Sequence, residues 1–262
     1  MKICFLSIDV EKKEETGSFE GAERLDNLLN VFRKHKANAT LFVTGEILEK
    51  YPDLVKKWSE KFEIGCHNYY HIPLDKLGLV EREKQIIDFI DLYKDVINIL
   101  PKGFRAPRNI FDNEQFPILE KYNFLYDASV FPRYPLRIKK YEGYRGRAPI
   151  MPYSPERKNY KQAGEMDILE IPESPAFLNI PLVGTWLRKL GSGFFKSLFL
   201  LRKPEFVSFS MHSWDGVSFE GRSSKNSGET YLKQLDEMLG FLRKIGYEFK
   251  SGEQIASDAT NL

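Results

Sequence analysis

K-I-C-F-L-S-I-D-V-E, Lys2 to Glu11, is the stretch that decides how this chain is read. Lys2 to Ile8 is a short, β-rich apolar run, and it delivers two carboxylates, Asp9 and Glu11, at its end. Behind it, Glu20 to Lys36 carries Leu25, Leu28, Leu29 and Phe32 at helical spacing. The order strand then helix returns in Asn38 to Val43 followed by Gly45 to Lys61, and in Phe62 to Cys66 followed by Val80 to Leu100. Further strands are expected at Gly103 to Ala106, Asn123 to Ala128, Ile168 to Pro172 and Phe206 to Met211, with helices at Asn113 to Tyr122 and Gly228 to Gly246. Repeated βα units imply a parallel sheet, open or closed into a barrel.

At 262 residues the chain suits one α/β domain spanning 1–262. Its 39 basic and 37 acidic side chains leave a formal charge of +2, which gives no electrostatic reason to expect nucleic acid as a partner. Two cysteines, Cys4 and Cys66, make no disulfide framework. The charges from Asp9 to Glu15 break the first apolar run too early for a signal peptide or a membrane span, so the expected location is the cytoplasm.

Two regions stand apart. Residues 132–167 are rich in proline, tyrosine and basic residues, as in R-A-P-I-M-P-Y-S-P, and are read as a long functional loop whose rings could stack on a sugar and whose cations could meet a phosphate. Residues 177–201 are apolar with interspersed basic residues, too interrupted to span a bilayer but suited to cover a barrel or to rest on a membrane surface.

Two of the four histidines sit in C-H-N-Y-Y-H, Cys66 to His71. In a helical turn, i to i+4 spacing puts both imidazoles on one face, where they make half of a zinc site. The same pair also suits two hydrogen-bonded histidines after a strand. A thermolysin-like motif is excluded because Asn68 stands where that pattern needs glutamate. Asp9 and Glu11 fall where βα folds place active sites, although an acidic run after a strand is also an ordinary solvated loop. His212, in F-V-S-F-S-M-H-S-W-D, ends a later strand, and Arg105, in G-F-R-A-P-R, ends another, as a buried ion-pair partner or as an orienter of a catalytic carboxylate.

Together S-I-D-V-E, T-L-F-V, H-N-Y-Y-H, F-R-A-P, Y-D-A-S and S-M-H-S-W resemble the ordered motifs of the polysaccharide deacetylases, carbohydrate esterase family 4. The resemblance runs from Lys2 to about Ser251 and includes a closing strand in G-Y-E-F-K-S; residues 132–167 lack a counterpart. It implies a distorted or incomplete (β/α)7 barrel. It also implies Asp9 as general base, His67 and His71 as metal ligands, Arg105 holding Asp9, His212 as general acid, and Asp127 orienting the catalytic histidine. The family's third ligand is an aspartate directly after the base; that position is Val10 here, and Glu11, one residue on, is assigned as the ligand, as in a subgroup with a D-V-E first motif. The implied metal is Zn2+, with Co2+, Ni2+ or Mn2+ as alternatives.

The expected activity is hydrolysis of an N-acetyl or other N-acyl group on a sugar or glycan, lipid-linked or nucleotide-linked, with peripheral membrane contact through residues 177–201. Three rivals share the motifs: a deformylase of a lipid-linked formamido sugar, an amidohydrolase of small molecules, and a carbohydrate-binding module without activity. Oligomeric state is not legible.

Overall fold

A computed structural model describes residues 2–133, 147–173, 175–177, 180–221 and 224–260. Its strands are β1 (Lys2–Val10), β2 (Thr40–Val43), β3 (Glu63–Cys66), β4 (Gly103–Phe104), β5 (Tyr126–Asp127), β6 (Pro155–Glu156), β7 (Asn159–Ala163), β8 (Leu169–Glu170), β9 (Pro175–Phe177), β10 (Ile180–Val183), β11 (Phe206–His212) and β12 (Tyr247–Lys250). They form one large sheet in the order β8-β5-β4-β3-β2-β1-β11-β10-β9, with β12 also on β1, and a separate β6-β7 hairpin. The pairings from β8 round to β10 are parallel and only β9 is antiparallel. Among the described residues the path from β8 to β9 does not close on itself, so the expected incomplete β/α barrel is borne out.

β1 explains the layering. Side chains alternate along a strand, and Cys4, Leu6, Ile8 and Val10 join the large core made with helix residues such as Leu28, Leu29, Phe32, Met238 and Leu239. Phe5 faces the other way, into a smaller cluster with Phe42, Tyr126 and Phe206. There Phe5, Phe42 and Tyr126 stand edge to face, with centroids 6.3–6.5 Å apart. Each fully buried ring or leucine stabilises the fold by about 1.5–3 kcal/mol. The same parity puts Ser7 and Asp9 above Phe5, so one strand face climbs from an aromatic floor to a charged rim.

Within 177–201, residues 178 and 179 lie outside the described residues, and residues 180–201 are a βα unit of the wall rather than a cover. β10 pairs with β11, and the helix Gly184–Arg202 packs Leu187, Phe195 and Phe199 inward against the helix Glu229–Lys244. Among the described residues no helix is long and apolar enough to cross a membrane. In the expected loop 132–167, residues 134–146 lie outside the described residues. The part that is described corrects the reading of it: β6 and β7 pair, and Tyr153 and Tyr160 are buried, Tyr160 edge-on to Phe111 at 5.6 Å. Those two rings belong to the core and are not presented to a ligand.

Candidate active site

Asp9, Glu11, His67, His71, Arg105 and His212, from four strand ends and their following loops, gather at the rim. Asp9 pairs with His212 in the β1–β11 register, so two neighbouring strands deliver them side by side. Glu11, two residues past Asp9, keeps the same parity and is 3 % exposed, whereas Val10 turns into the outer core. Alternation alone therefore selects Glu11 over position 10 as the inward carboxylate.

His67 and His71 do reach one point, with ring centroids 5.2 Å apart, but not through a helical turn. Asn68 has φ 63°, and the carbonyls of Asn68 and Tyr69 accept the N–H groups of Gly45 and Glu46 at the start of the helix Gly45–Lys50. The left-handed Asn68 breaks the turn, and these two carbonyls serve a neighbouring helix start instead of a helical ladder of their own. Gly45 is required there, because a Cβ would lie 2.5 Å from the Tyr69 ring.

His67 Nδ1 lies 2.7 Å from the Arg105 carbonyl oxygen, so Nδ1–H donates and Nε2 is left to accept or to ligate. His71 Nδ1 donates to Glu14 Oε1 at 2.9 Å, with the same consequence. Both Nε2 atoms turn to Glu11 Oε2, His67 at 3.6 Å and His71 in direct contact. One ligand atom from each of Glu11, His67 and His71 lies within 4.8 Å of the others. Two imidazoles and a carboxylate are the donor set of catalytic zinc sites, which keep a fourth position open. These residues fit a divalent metal, zinc by donor type. Burial works against charge on Glu11, yet His71 and His67 outweigh it and hold its carboxyl far below the usual range. Burial lowers His71, but Glu11 and Glu14 raise it to about 9. Glu14 is itself gripped by Arg108, with Nε at 3.0 Å.

Arg105 is 1 % exposed and reaches into the barrel with its guanidinium 4.3 Å from the Phe42 ring centroid. It donates to Asp9 Oδ1 at 2.8 Å, to Ser7 Oγ at 2.9 Å and to the Ala128 carbonyl at 2.9 Å, and faces Glu173 Oε1 at 2.8 Å. Burial disfavours an ionised Asp9, but Arg105, then His67 and His212, keep its carboxyl below the ordinary value. Glu173 moves the other way, raised by burial, and Ser208 Oγ donates to it at 3.0 Å.

His212 stacks on Trp214 at 4.4 Å and 12°, and its Nε2 lies 3.8 Å from Glu11 Oε1. The ring accepts the backbone N–H of Asp215, whose Oδ2 accepts the backbone N–H of His212 at 3.0 Å. Asp215 is paired with Arg188 at 2.8 Å, both fully buried. Asp127 does not take the orienting position expected of it. Among the described residues its carboxylate accepts from Ser129 N and Oγ and bonds Glu170 rather than His212. The sequence reading assigns no individual role to Glu14, Trp214, Asp215 or Glu173, although Glu14 lies in its acidic run and S-W-D beside His212 is a local signal.

A cavity of about 240 Å³ is lined by Asp9, Glu11, His71, Arg108, His212 and Trp214, among others. A second, of about 310 Å³, shares Asp9, Asn109 and His212 and adds Phe131, Val183 and Trp186. The Asp9 and Glu11 carboxylates and the His71 and His212 imidazoles thus open onto adjoining space.

The model of one family, polysaccharide deacetylase, matches residues 9–126, which include Asp9, Glu11, His67, His71 and Arg105. A peptidoglycan deacetylase of Helicobacter pylori is 30% identical over 115 residues, covering 44% of this chain and 39% of that protein. The chain thus spans well under half of that relative's length. Among solved structures, a polysaccharide deacetylase-type protein of Mycobacterium smegmatis superposes with a TM-score of 0.72 at 16% identity, covering 100% of this chain and 92% of that one. A CE4 family pseudoenzyme of Bacillus anthracis gives 0.60 at 14% identity, covering 97% and 65%. At such identities the last two speak for the fold alone.

Proposed function

We propose that this chain, matched over residues 9–126 by the polysaccharide deacetylase family model and similar to a peptidoglycan deacetylase over 115 residues, is a metal-dependent hydrolase that removes an N-acetyl group from a sugar or glycan. The observation that carries this is the convergence of Asp9, Glu11, His71 and His212 on one cavity, with His67 completing a group with Glu11 and His71. Glu11 Oε2 and the two Nε2 atoms would hold the metal. A divalent metal there supplies Lewis-acid polarisation of the acyl oxygen and makes water more acidic.

The chain's own residues account for the proton traffic. Asp9, held ionised and fixed in direction by Arg105, takes a proton from the attacking water. His212 uses the ring nitrogen away from the Asp215 amide to donate to the departing sugar amine, which is too basic to leave unprotonated. Stacking on Trp214 and the main-chain bonds with Asp215 fix the direction of that nitrogen. Zn2+ is the proposed metal, with Co2+, Ni2+ and Mn2+ as substitutes.

The proposal extends to a cytoplasmic, lipid-linked or nucleotide-linked sugar. Leu190, Leu200 and Leu201 are exposed on the helix Gly184–Arg202, beside Lys196 and Lys203, and suit a shallow membrane contact. Absence of sedimentation with anionic liposomes removes the membrane part. The direct test of the activity is product analysis: acetate release from N-acetylglucosamine oligomers and from lipid-linked or nucleotide-linked N-acetyl sugars supports deacetylation. Formate released from a formamido sugar, with no acetate from any of these, would replace it by the deformylase reading.

A further inference from the structure

Lys13 is a buried cation that the chemistry above does not use. It is 5 % exposed, and its Nζ has no hydrogen-bond partner among the described residues. The nearest charge is Glu15 Oε2 at 3.6 Å, on a side chain 56% exposed. At that separation the pair is no hydrogen bond. Phe219 presents its ring face 3.4 Å away, which attracts a cation but accepts none of its three N–H donors as an oxygen would.

Its position is built rather than accidental. Lys13 N donates to Ser18 O at 2.9 Å, and the Lys13 carbonyl accepts from Thr16 N and Gly17 N, closing a tight turn in which Gly17 has φ 68°. A desolvated ammonium is costly unless hydrogen-bonded acceptors surround it. Among the described residues the other strongly buried lysine shows the ordinary solution: Lys250, 8 % exposed, closes a bond to Asp258 Oδ2 at 2.6 Å. Lys13 instead lines the cavity that holds Asp9, Glu11, His71 and His212. Arg108, on the same wall, is already committed to Glu14. Among the described residues lining this cavity, Lys13 is the cation left with donors to offer.

We propose that Lys13 is a specificity-determining residue that receives an anionic substituent, a carboxylate or a phosphate, on the sugar whose amide is cleaved. This rests on the deacetylase reading and narrows its substrate class. The charges are compatible: a divalent cation with Lys13 and Arg108 balances Asp9, Glu11, Glu14 and Glu15 around the cavity, so an anion entering it meets no net negative wall.

The test measures equilibrium binding to the zinc-loaded full chain by calorimetry, independent of turnover. The probes are N-acetylglucosamine, its carboxylate-bearing analogue N-acetylmuramic acid, and N-acetylglucosamine 1-phosphate and 6-phosphate. The wild type should bind at least one charged sugar about tenfold more tightly than the neutral one, the usual worth of a hydrogen bond to a charged group. Lys13→Met and Lys13→Gln should erase that preference with neutral-sugar binding and zinc content unchanged, and Lys13→Arg should retain it. Which probe gains separates carboxylate from phosphate. Equal affinity for charged and neutral sugars, or no measurable binding of any of them, overturns the inference, as does a preference that survives Lys13→Gln. Charged-sugar preference without acetate release would fail the deacetylase reading alone; acetate release without preference would fail this inference alone.

Discussion

The guanidinium of Arg105 bridges two carboxylates of opposite character: Nη1 donates to Asp9 Oδ1 at 2.8 Å and Nη2 stands 2.8 Å from Glu173 Oε1. Asp9 stands at the cavity rim and is held ionised, whereas Glu173, 1 % exposed, lies buried beneath it. Arg105→Met would strand both, and losing one partner of a buried ion pair costs about 3–5 kcal/mol. Chemical denaturation should show a loss of that size together with collapse of activity. A variant as stable as the wild type would mean that the fork does not hold the site.

Asp9→Asn removes the proposed base while keeping its shape, and His212→Ala removes the proposed acid. Each should lower kcat by roughly 10²-fold or more. Metal content should stay at the wild-type level in both, since neither side chain belongs to the Glu11–His67–His71 group. Near-normal turnover in either variant would refute its role.

Glu14 carries the outer hydrogen bond of His71, while His67 relies on the Arg105 main chain. Outer partners of this kind affect metal affinity by about 10–100-fold. Glu14→Ala should therefore weaken zinc binding by that factor in a chelator competition, and Arg108→Ala, which frees Glu14, should weaken it less. Unchanged affinity in Glu14→Ala would show that Glu11 alone orients His71.

Asp127 and Glu170 form a buried carboxyl pair on β5 and β8, and Glu170 is raised well above the ordinary value by burial and by the Asp127 charge. A carboxyl raised in the folded state binds its proton there at pH values where the unfolded chain has released it. Stability from Glu170 is thus complete below about pH 4.3, the unfolded glutamate value, and is lost as pH rises towards the folded one. Glu170→Gln, neutral at every pH, should lose less stability than the wild type as pH is raised above that point. Parallel stability profiles would contradict a protonated Glu170.

Legibility in the sequence followed the range over which each feature acts. Asp9, Arg105 and His212 were readable because each ends a strand with its own apolar run, and the structure brings all three to one rim. Glu11 was readable by resemblance, and strand parity now supplies its physical reason. The i to i+4 histidine spacing suggested a helical turn because spacing says nothing of Asn68 at φ 63° or of the helix start that claims the intervening carbonyls. β10 and its helix were missed because Pro181, Gly184, Gly191 and Gly193 interrupt the periodicity that tertiary packing then restores. Glu173 reaches Arg105, and Arg188 reaches Asp215, only after the barrel curls, and their sequence neighbourhoods carry no trace of these partners, whereas Asp215 bonds His212 locally.

The central claim is that Glu11, His67 and His71 hold a metal on which amide cleavage depends. Metal content by mass spectrometry on the wild type and His67→Ala, measured beside acetate release from N-acetyl sugars, addresses it most directly. The account predicts about one zinc per wild-type chain with acetate released, and loss of both in His67→Ala. Stoichiometric metal retained in His67→Ala, or acetate released by a wild type free of metal, would contradict it.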